Sequence, residues 1–186
     1  MARIRSLRAN VTRAQAFEQF NGRDLSGLWR RLRLGPLRSL ADAYVPFCLF
    51  SMEIRTGPRE ETRFLAVDAV AGTLDPYGFD TVPSPEITVE VETRNGLPVR
   101  LGELKLREIA IERTRRQLYS EGFFKIRGLA ISAEPVAMEL HVPYWIGFFG
   151  RGERAHVVAL DAVRRRFEGA KARALFEEWL IANDSP

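Results

Sequence analysis

Hydrophobic and polar positions along this chain follow the period of a β-strand in some stretches and the period of a helix in others. Residues 44–55 form a long apolar run, and residues 61–68 follow it after a loop at Thr56-Gly57-Pro58. We predict that these two stretches pair as an antiparallel hairpin. Residues 135–149 and 153–161 show a similar pattern, with a glycine-containing turn between them. They predict a second pair of strands.

Residues 24–42 have a helical period, with Asp24 as a plausible N-cap. The apolar positions recur three and four residues apart at Leu25, Leu28, Trp29 and Leu32. Gly35-Pro36 interrupts this period, and we expect the chain to resume a short turn of helix after it. The resulting segment is amphipathic, because arginines lie between its apolar positions.

Further elements are predicted on both sides of this segment. Residues 1–23 have weak periodicity and indicate a loose arm or a short helix. Residues 86–93 alternate, which predicts a strand with its valines and Ile87 buried and Thr88 in water. Residues 103–121 are rich in strong helix formers and are followed by a glycine. Residues 169–182 predict a final helix.

Two similar segments occur about one hundred residues apart. Tyr44-Val45-Pro46-Phe47 matches His141-Val142-Pro143-Tyr144, and residues 64–70 (FLAVDAV) match residues 157–163 (VVALDAV). We interpret them as two copies of one unit: helix, long strand, hairpin, strand and aspartate turn. Asp68 and Asp161 then hold turns. Because Gly72 aligns with Arg165, the second turn is expected to differ from the first.

The predicted fold is α+β, with two pseudo-repeats of a helix packed on a mostly antiparallel sheet and a C-terminal helix. The expected organisation is a basic arm at 1–23, a first repeat at 24–85 and a second at 86–186, with a single compact domain as the alternative.

The strand and turn at Val67–Gly72, and less closely Leu160–Val163, resemble the PepSY repeat and more loosely the cystatin-like arrangement. The resemblance covers residues 24–77 and 103–168. It implies a non-enzymatic protein that acts on a protein partner. PepSY repeats are often extracytoplasmic, whereas the first residues here lack the apolar region of an export signal. We therefore expect a cytoplasmic protein.

Charge is distributed unevenly along the sequence. Residues 1–40 contain nine arginines and two acidic residues, a net charge of +7 within a chain whose total is +4. Such asymmetry indicates an anionic partner for the basic part. The candidate residues on the amphipathic segment are Trp29, Arg30, Arg31, Arg33 and Arg38.

Three interpretations of this basic segment stay open. It could attach peripherally to an anionic membrane surface, because tryptophan and leucine enter the headgroup boundary while arginines contact phosphates. It could bind a protein partner. Its apolar face could instead cover the first sheet, as most amphipathic helices do. A near-neutral body argues against a nucleic-acid partner.

A second candidate surface is aromatic. Residues 143–152 contain more large rings than one strand face buries, which indicates core packing, a homodimer interface or a small apolar ligand in a helix–sheet cleft. The candidate residues are Phe47, Phe50, Tyr144, Trp145 and Phe148.

No catalytic, metal or cofactor motif is recognised in the sequence, so we predict no catalytic residue, no metal and no cofactor. The two histidines, His141 and His156, lack the neighbouring ligands that a zinc site needs. Cys48 lies in an apolar run and is expected to be a small buried hydrophobe. The sequence favours a non-enzymatic interaction module over a small-molecule-binding protein.

Overall fold

The structure is a computed structural model that describes residues 1–22, 25–120, 128–151 and 155–184. This part of the chain is α+β, with strands dominating. The helices are α1 Arg13–Phe20, α2 Leu25–Leu34, α3 Glu103–Ser120 and α4 Ala170–Asp184. The strands are β1 Ala2–Leu7, β2 Leu37–Thr56, β3 Arg59–Asp68, β4 Tyr77–Phe79, β5 Thr88–Thr93, β6 Leu129–Phe149, β7 His156–Asp161 and β8 Arg166–Phe167.

One mixed sheet joins these strands in the order β4-β3-β2-β6-β1-β5, and β7 pairs with both β6 and β8. Both predicted hairpins are confirmed, because β2 pairs antiparallel with β3 and β6 pairs antiparallel with β7. A parallel pairing of Ser6 with His141 joins β1 to β6. Residues 1–23, expected as a loose arm or short helix, thus include a strand of the sheet.

The chain forms two compact units, each assembled from separate stretches. Unit 1 contains residues 1–45, 90–97 and 141–186, and unit 2 contains residues 46–89 and 98–140. One core cluster, in unit 1, contains Phe20 and Phe149, and another, in unit 2, contains Phe50 and Leu106. The repeats at 24–85 and 86–186 were defined from the two similar sequence segments, and these boundaries stay a prediction.

Most predicted helices are confirmed, and α1 carries a signal that the sequence interpretation missed. The helices at 103–121 and 169–182 correspond to α3 and α4. The start of α1 is a capping box, in which the Gln15 amide donates to Thr12 Oγ1 and the Thr12 amide donates to Gln15 Oε1. This Thr-x-x-Gln pattern is visible in the sequence and satisfies two otherwise unpaired backbone donors.

The segment at 24–42 is only partly helical. The helix ends at Leu34, before the predicted break at Gly35-Pro36, but the residues from Leu37 onward extend β2. The expectation of a resumed helical turn is therefore wrong, because ladder pairing outweighs the weak helical preference of a short leucine- and alanine-containing stretch. The proposed cap Asp24 lies outside the described residues.

The buried face of β5 was assigned incorrectly from its alternation. Ile87 is 44% exposed and Val89 is 37% exposed, whereas Thr88 is buried and its hydroxyl donates to the Ser84 carbonyl. Since β5 ends the strand order, its packing is set by neighbours that alternation alone does not reveal. The strand itself is confirmed.

In unit 2, the buried carboxylate of Asp68 organises the turn after β3. Its Oδ1 accepts hydrogen bonds from the Val70 and Ala71 amides at 2.8 and 3.1 Å. Its Oδ2 accepts from the Thr73 and Leu74 amides at 3.1 and 3.4 Å. A carboxylate that satisfies several backbone donors fixes the turn, so the structural role predicted for Asp68 is confirmed.

In unit 1, Asp161 organises the turn after β7 in a similar way. Its Oδ1 accepts from the Val163 and Arg164 amides at 2.9 and 2.8 Å. Arg165 has φ 60°, close to the φ of 67° at Gly72. The expectation that these turns differ is wrong at this position: the arginine adopts the left-handed conformation that the glycine adopts in unit 2.

We expect Arg165→Gly to stabilise the protein by about 1 kcal/mol relative to Arg165→Ala, because glycine occupies the left-handed region without a Cβ penalty. The alanine variant removes the same arginine side chain and keeps the strain, so it is the matched control. Urea denaturation followed by circular dichroism measures both. Equal free energies of unfolding for the two variants would contradict a strained backbone at this turn.

Candidate functional site

Helix α2 contacts its unit through one side and exposes the other. Gly27 is buried, and Leu34 is half-buried against the core cluster of unit 1. Trp29 is 70% exposed and Leu32 is 71% exposed. At about 100° per residue, the pair Trp29 and Leu32 lies about 180° around the helix from the pair Gly27 and Leu34. The large apolar side chains at 29 and 32 therefore project into solvent.

The segment from α2 into β2 is partly packed on the body and partly exposed. Leu34, Leu37 and Leu40 are half-buried against the core of unit 1, so this part of the segment does cover the body. Trp29 and Leu32 do not. Arg33 and Arg38 are exposed as well. The side chains of Arg30 and Arg31 lie outside the described residues.

The two units differ in charge. Unit 1 contains 17 basic and 11 acidic residues in the sequence, a net charge of +6. Unit 2 contains 11 basic and 13 acidic residues, a net charge of −2. Helix α2 therefore belongs to the unit that attracts anions.

The five aromatic candidates belong to two different units. Phe47 and Phe50 are buried in unit 2, where the Phe47 ring meets Tyr77 edge-on at 5.7 Å. Tyr144, Trp145 and Phe148 belong to unit 1. Tyr144 is buried beside Phe176, with ring centroids 5.3 Å apart.

Trp145 and Phe148 are both half-buried. The indole Nε1–H of Trp145 donates to the Val11 carbonyl at 2.9 Å, so this polar group is satisfied within unit 1. Packing inside each unit thus accounts for most of the aromatic run. A homodimer interface stays a prediction.

A pocket of unit 2 lies elsewhere, and none of the five aromatic candidates lines it. It has a volume of about 280 Å³ and is bounded by α3, β3, β4 and Met52 of β2. A second pocket, in unit 1, has a volume of about 320 Å³ and is bounded by α1, the residues before it and Arg165.

The two histidines lie far apart. His141 is eight residues before Phe149, which pairs with His156, so the two histidines are about 26 Å apart along β6. That separation is too large for one metal ion. Within the described residues, no group of three or more histidine, cysteine or acidic side chains is arranged to hold a metal.

Burial, the charge of Asp42 and a hydrogen bond to Asp42 raise the pKa of Tyr44 to about 12. The phenol therefore stays protonated. Burial, with a smaller effect from Glu103, raises the pKa of the half-buried Cys48 thiol. Neither group is activated as a nucleophile.

Comparisons with known proteins return nothing. No protein-family model matches the chain, no curated protein is similar to it, and no solved structure matches its fold. The resemblance to PepSY and cystatin-like repeats stays a prediction. Among the described helices, none combines the length and the apolar content needed to cross a bilayer.

We expect the Cys48 thiol to react with iodoacetamide at about pH 8 at least tenfold more slowly in the folded protein than in urea, because its raised pKa and partial burial lower the accessible thiolate. Mass spectrometry of time points measures the rate, and Cys48→Ser provides the background. Equal rates with and without urea would contradict this description of the thiol.

Proposed function

We propose that the protein is a non-enzymatic interaction module that attaches through α2 to an anionic membrane surface. One observation carries the proposal: Trp29 and Leu32 project from the side of α2 opposite to its contact with the body. Two large apolar side chains in water are costly unless a partner covers them.

Charge favours an anionic lipid surface as that partner. Arg33 and Arg38 are exposed on the same segment, and the surrounding unit has a net charge of +6. An interfacial helix inserts tryptophan and leucine into the headgroup boundary while arginines contact lipid phosphates. A basic protein surface near an anionic membrane gains roughly 1 kcal/mol per arginine.

The test is co-sedimentation of the full chain with vesicles of phosphatidylcholine alone or mixed with phosphatidylserine. We expect binding only to the mixed vesicles, weakening as salt is raised. Trp29→Ser with Leu32→Ser should reduce the affinity at least tenfold, because it removes the inserting side chains. Leu104→Ser is the matched control, since Leu104 is 77% exposed on a helix of the acidic unit and should not contribute.

Two results would overturn the membrane proposal. One is the absence of binding to either vesicle. The other is equal loss of binding in the α2 double variant and in Leu104→Ser. Circular dichroism of each variant confirms that the fold is kept. If the protein binds neither vesicle but the α2 double variant changes self-association in ultracentrifugation, the surface binds a second copy of the chain instead of a membrane.

We also infer that the two units are copies of one pseudo-repeat. The register of the hairpins supports this inference, because Phe47 pairs with Asp68 and Tyr144 pairs with Asp161. After each aspartate, the alanine amide donates to the proline carbonyl of the facing strand: Ala69 to Pro46 at 2.9 Å, and Ala162 to Pro143 at 3.1 Å.

The cores of the units support the same inference. In unit 1, a Cβ at Gly147 would lie 2.6 Å from the Phe20 ring, so the glycine makes room for the phenylalanine. In unit 2, the position on the strand that aligns with Gly147 is Phe50, and Ala110 shares its cluster. At this aligned strand position, unit 1 therefore has a small residue and unit 2 a large one.

The close approach of Gly147 to the Phe20 ring predicts that substitutions at these two positions are energetically coupled. Gly147→Phe alone should destabilise by several kcal/mol through overlap with Phe20, and Phe20→Ala alone should cost about 3–5 kcal/mol through a cavity. The double variant places the large side chain on the strand and the small one on the helix, so it should lose clearly less stability than the sum of the two single losses, as measured by urea denaturation. Additive losses would contradict the close packing of Gly147 against Phe20.

A further inference from the structure

The pocket of unit 2 has an apolar floor that a small molecule can cover. Met52, Leu65 and Leu118 line it and are buried. Its volume of about 280 Å³ is just below the range of roughly 300–1,000 Å³ that is usual for ligand pockets, so only a compact ligand fits. Methionine adapts its shape to what it contacts.

Its wall carries a polar group in an unusual place. The buried residues of α3 follow one stripe, which consists of Leu106, Ala110, Thr114 and Leu118. Thr114 introduces a hydroxyl into this otherwise aliphatic stripe, and both Thr114 and Gln117 line the pocket. A few placed polar groups above an apolar floor are typical of a small-molecule site.

The rim of the pocket is acidic. Glu61, Arg63 and Asp80 line it, so its formal charge is −1, within a unit of net charge −2. Arg63 already donates from Nε to Glu61 Oε1 at 2.5 Å and from Nη2 to Oε2 at 3.2 Å. The guanidinium charge is thereby offset, and the remaining field of the rim favours a cation. Phe64 and Phe79 pair with each other across the β3–β4 ladder, so their side chains lie on the face of the sheet opposite Leu65 and Gly78.

We propose that this pocket binds a small amine with a compact apolar body. The body covers Met52, Leu65 and Leu118, and the ammonium group lies at the acidic rim near Asp80. This site is independent of α2 and of attachment to a membrane.

Gly78 provides a way to close the pocket without disturbing the fold. It pairs with Leu65 across the β3–β4 ladder, and directly opposed residues point to the same face of a sheet. A Cβ at Gly78 would meet nothing within 4 Å, and the backbone there is not left-handed. A leucine at this position therefore fills the pocket without strain.

The test is titration of the full chain with three probes that share one body: phenethylamine, 2-phenylethanol and phenylacetate. Amide chemical shifts follow each titration. With phenethylamine, we expect saturable shifts at Thr114, Gln117 and Gly78. The alcohol should bind at least fivefold more weakly than the amine, and the carboxylate should bind more weakly than the alcohol. Asp80→Asn should weaken phenethylamine at least fivefold, whereas Glu86→Gln, outside the pocket, should not.

Gly78→Leu should abolish the shifts. Gly96→Leu is the matched control, because a Cβ at Gly96 also meets nothing within 4 Å and Gly96 lies in unit 1. The spectrum of each variant reports whether it is folded. The proposal is overturned if phenethylamine gives no saturable shifts, if phenylacetate binds as tightly, or if a folded Gly78→Leu variant binds unchanged.

Discussion

A buried carboxylate at the end of each hairpin fixes the path of the chain on both sides of it. Asp68 and Asp161 are almost fully buried, and each accepts hydrogen bonds from amides of the turn that follows. The alanine after each aspartate, Ala69 or Ala162, forms backbone hydrogen bonds through both its amide and its carbonyl. Its amide bonds to the facing strand, and its carbonyl accepts from the segment that enters a helix: Arg100 and Leu101 to Ala69, and Asn10 to Ala162. Loss of either carboxylate would remove the hydrogen-bond acceptor of these turn amides, at a cost of about 1–3 kcal/mol for each amide that stays buried without a partner.

The two turns tolerate different residues at their left-handed position. In unit 2, a Cβ at Gly72 would lie 2.5 Å from Ile109 Cδ1, so helix α3 packs directly against the glycine. In unit 1, Arg165 occupies the corresponding position and borders an open pocket lined by residues of α1. The close approach of a helix requires the glycine in one unit, and its absence permits the arginine in the other.

The end of α1 at Phe20 affects which side chains unit 1 exposes. In unit 2, α3 runs unbroken over 18 residues and buries one stripe along its length. In unit 1, α1 stops after Phe20, and α2 follows as a separate helix that contacts the body through Gly27 and Leu34. As a separate helix, α2 can expose its apolar side chains, whereas the apolar stripe of α3 is buried in the core of unit 2. Basic character and exposed apolar surface thus meet in one unit, while the acidic pocket lies in the other.

Both hairpins, α3, α4 and the aspartate turns could be predicted from the sequence, because strand period, helix propensity and turn chemistry act within a few residues. The sequence also contained the capping box of α1 and the two similar segments, whose hairpins have the same register. The tertiary structure was needed to establish that residues 37–42 extend a strand, that Thr88 is buried rather than Val89, and that Arg165 is left-handed. It alone placed Trp29 and Leu32 in solvent and brought Thr114 and Asp80 to one pocket. These outcomes depend on which surfaces meet across distant parts of the chain, and no local pattern encodes that choice.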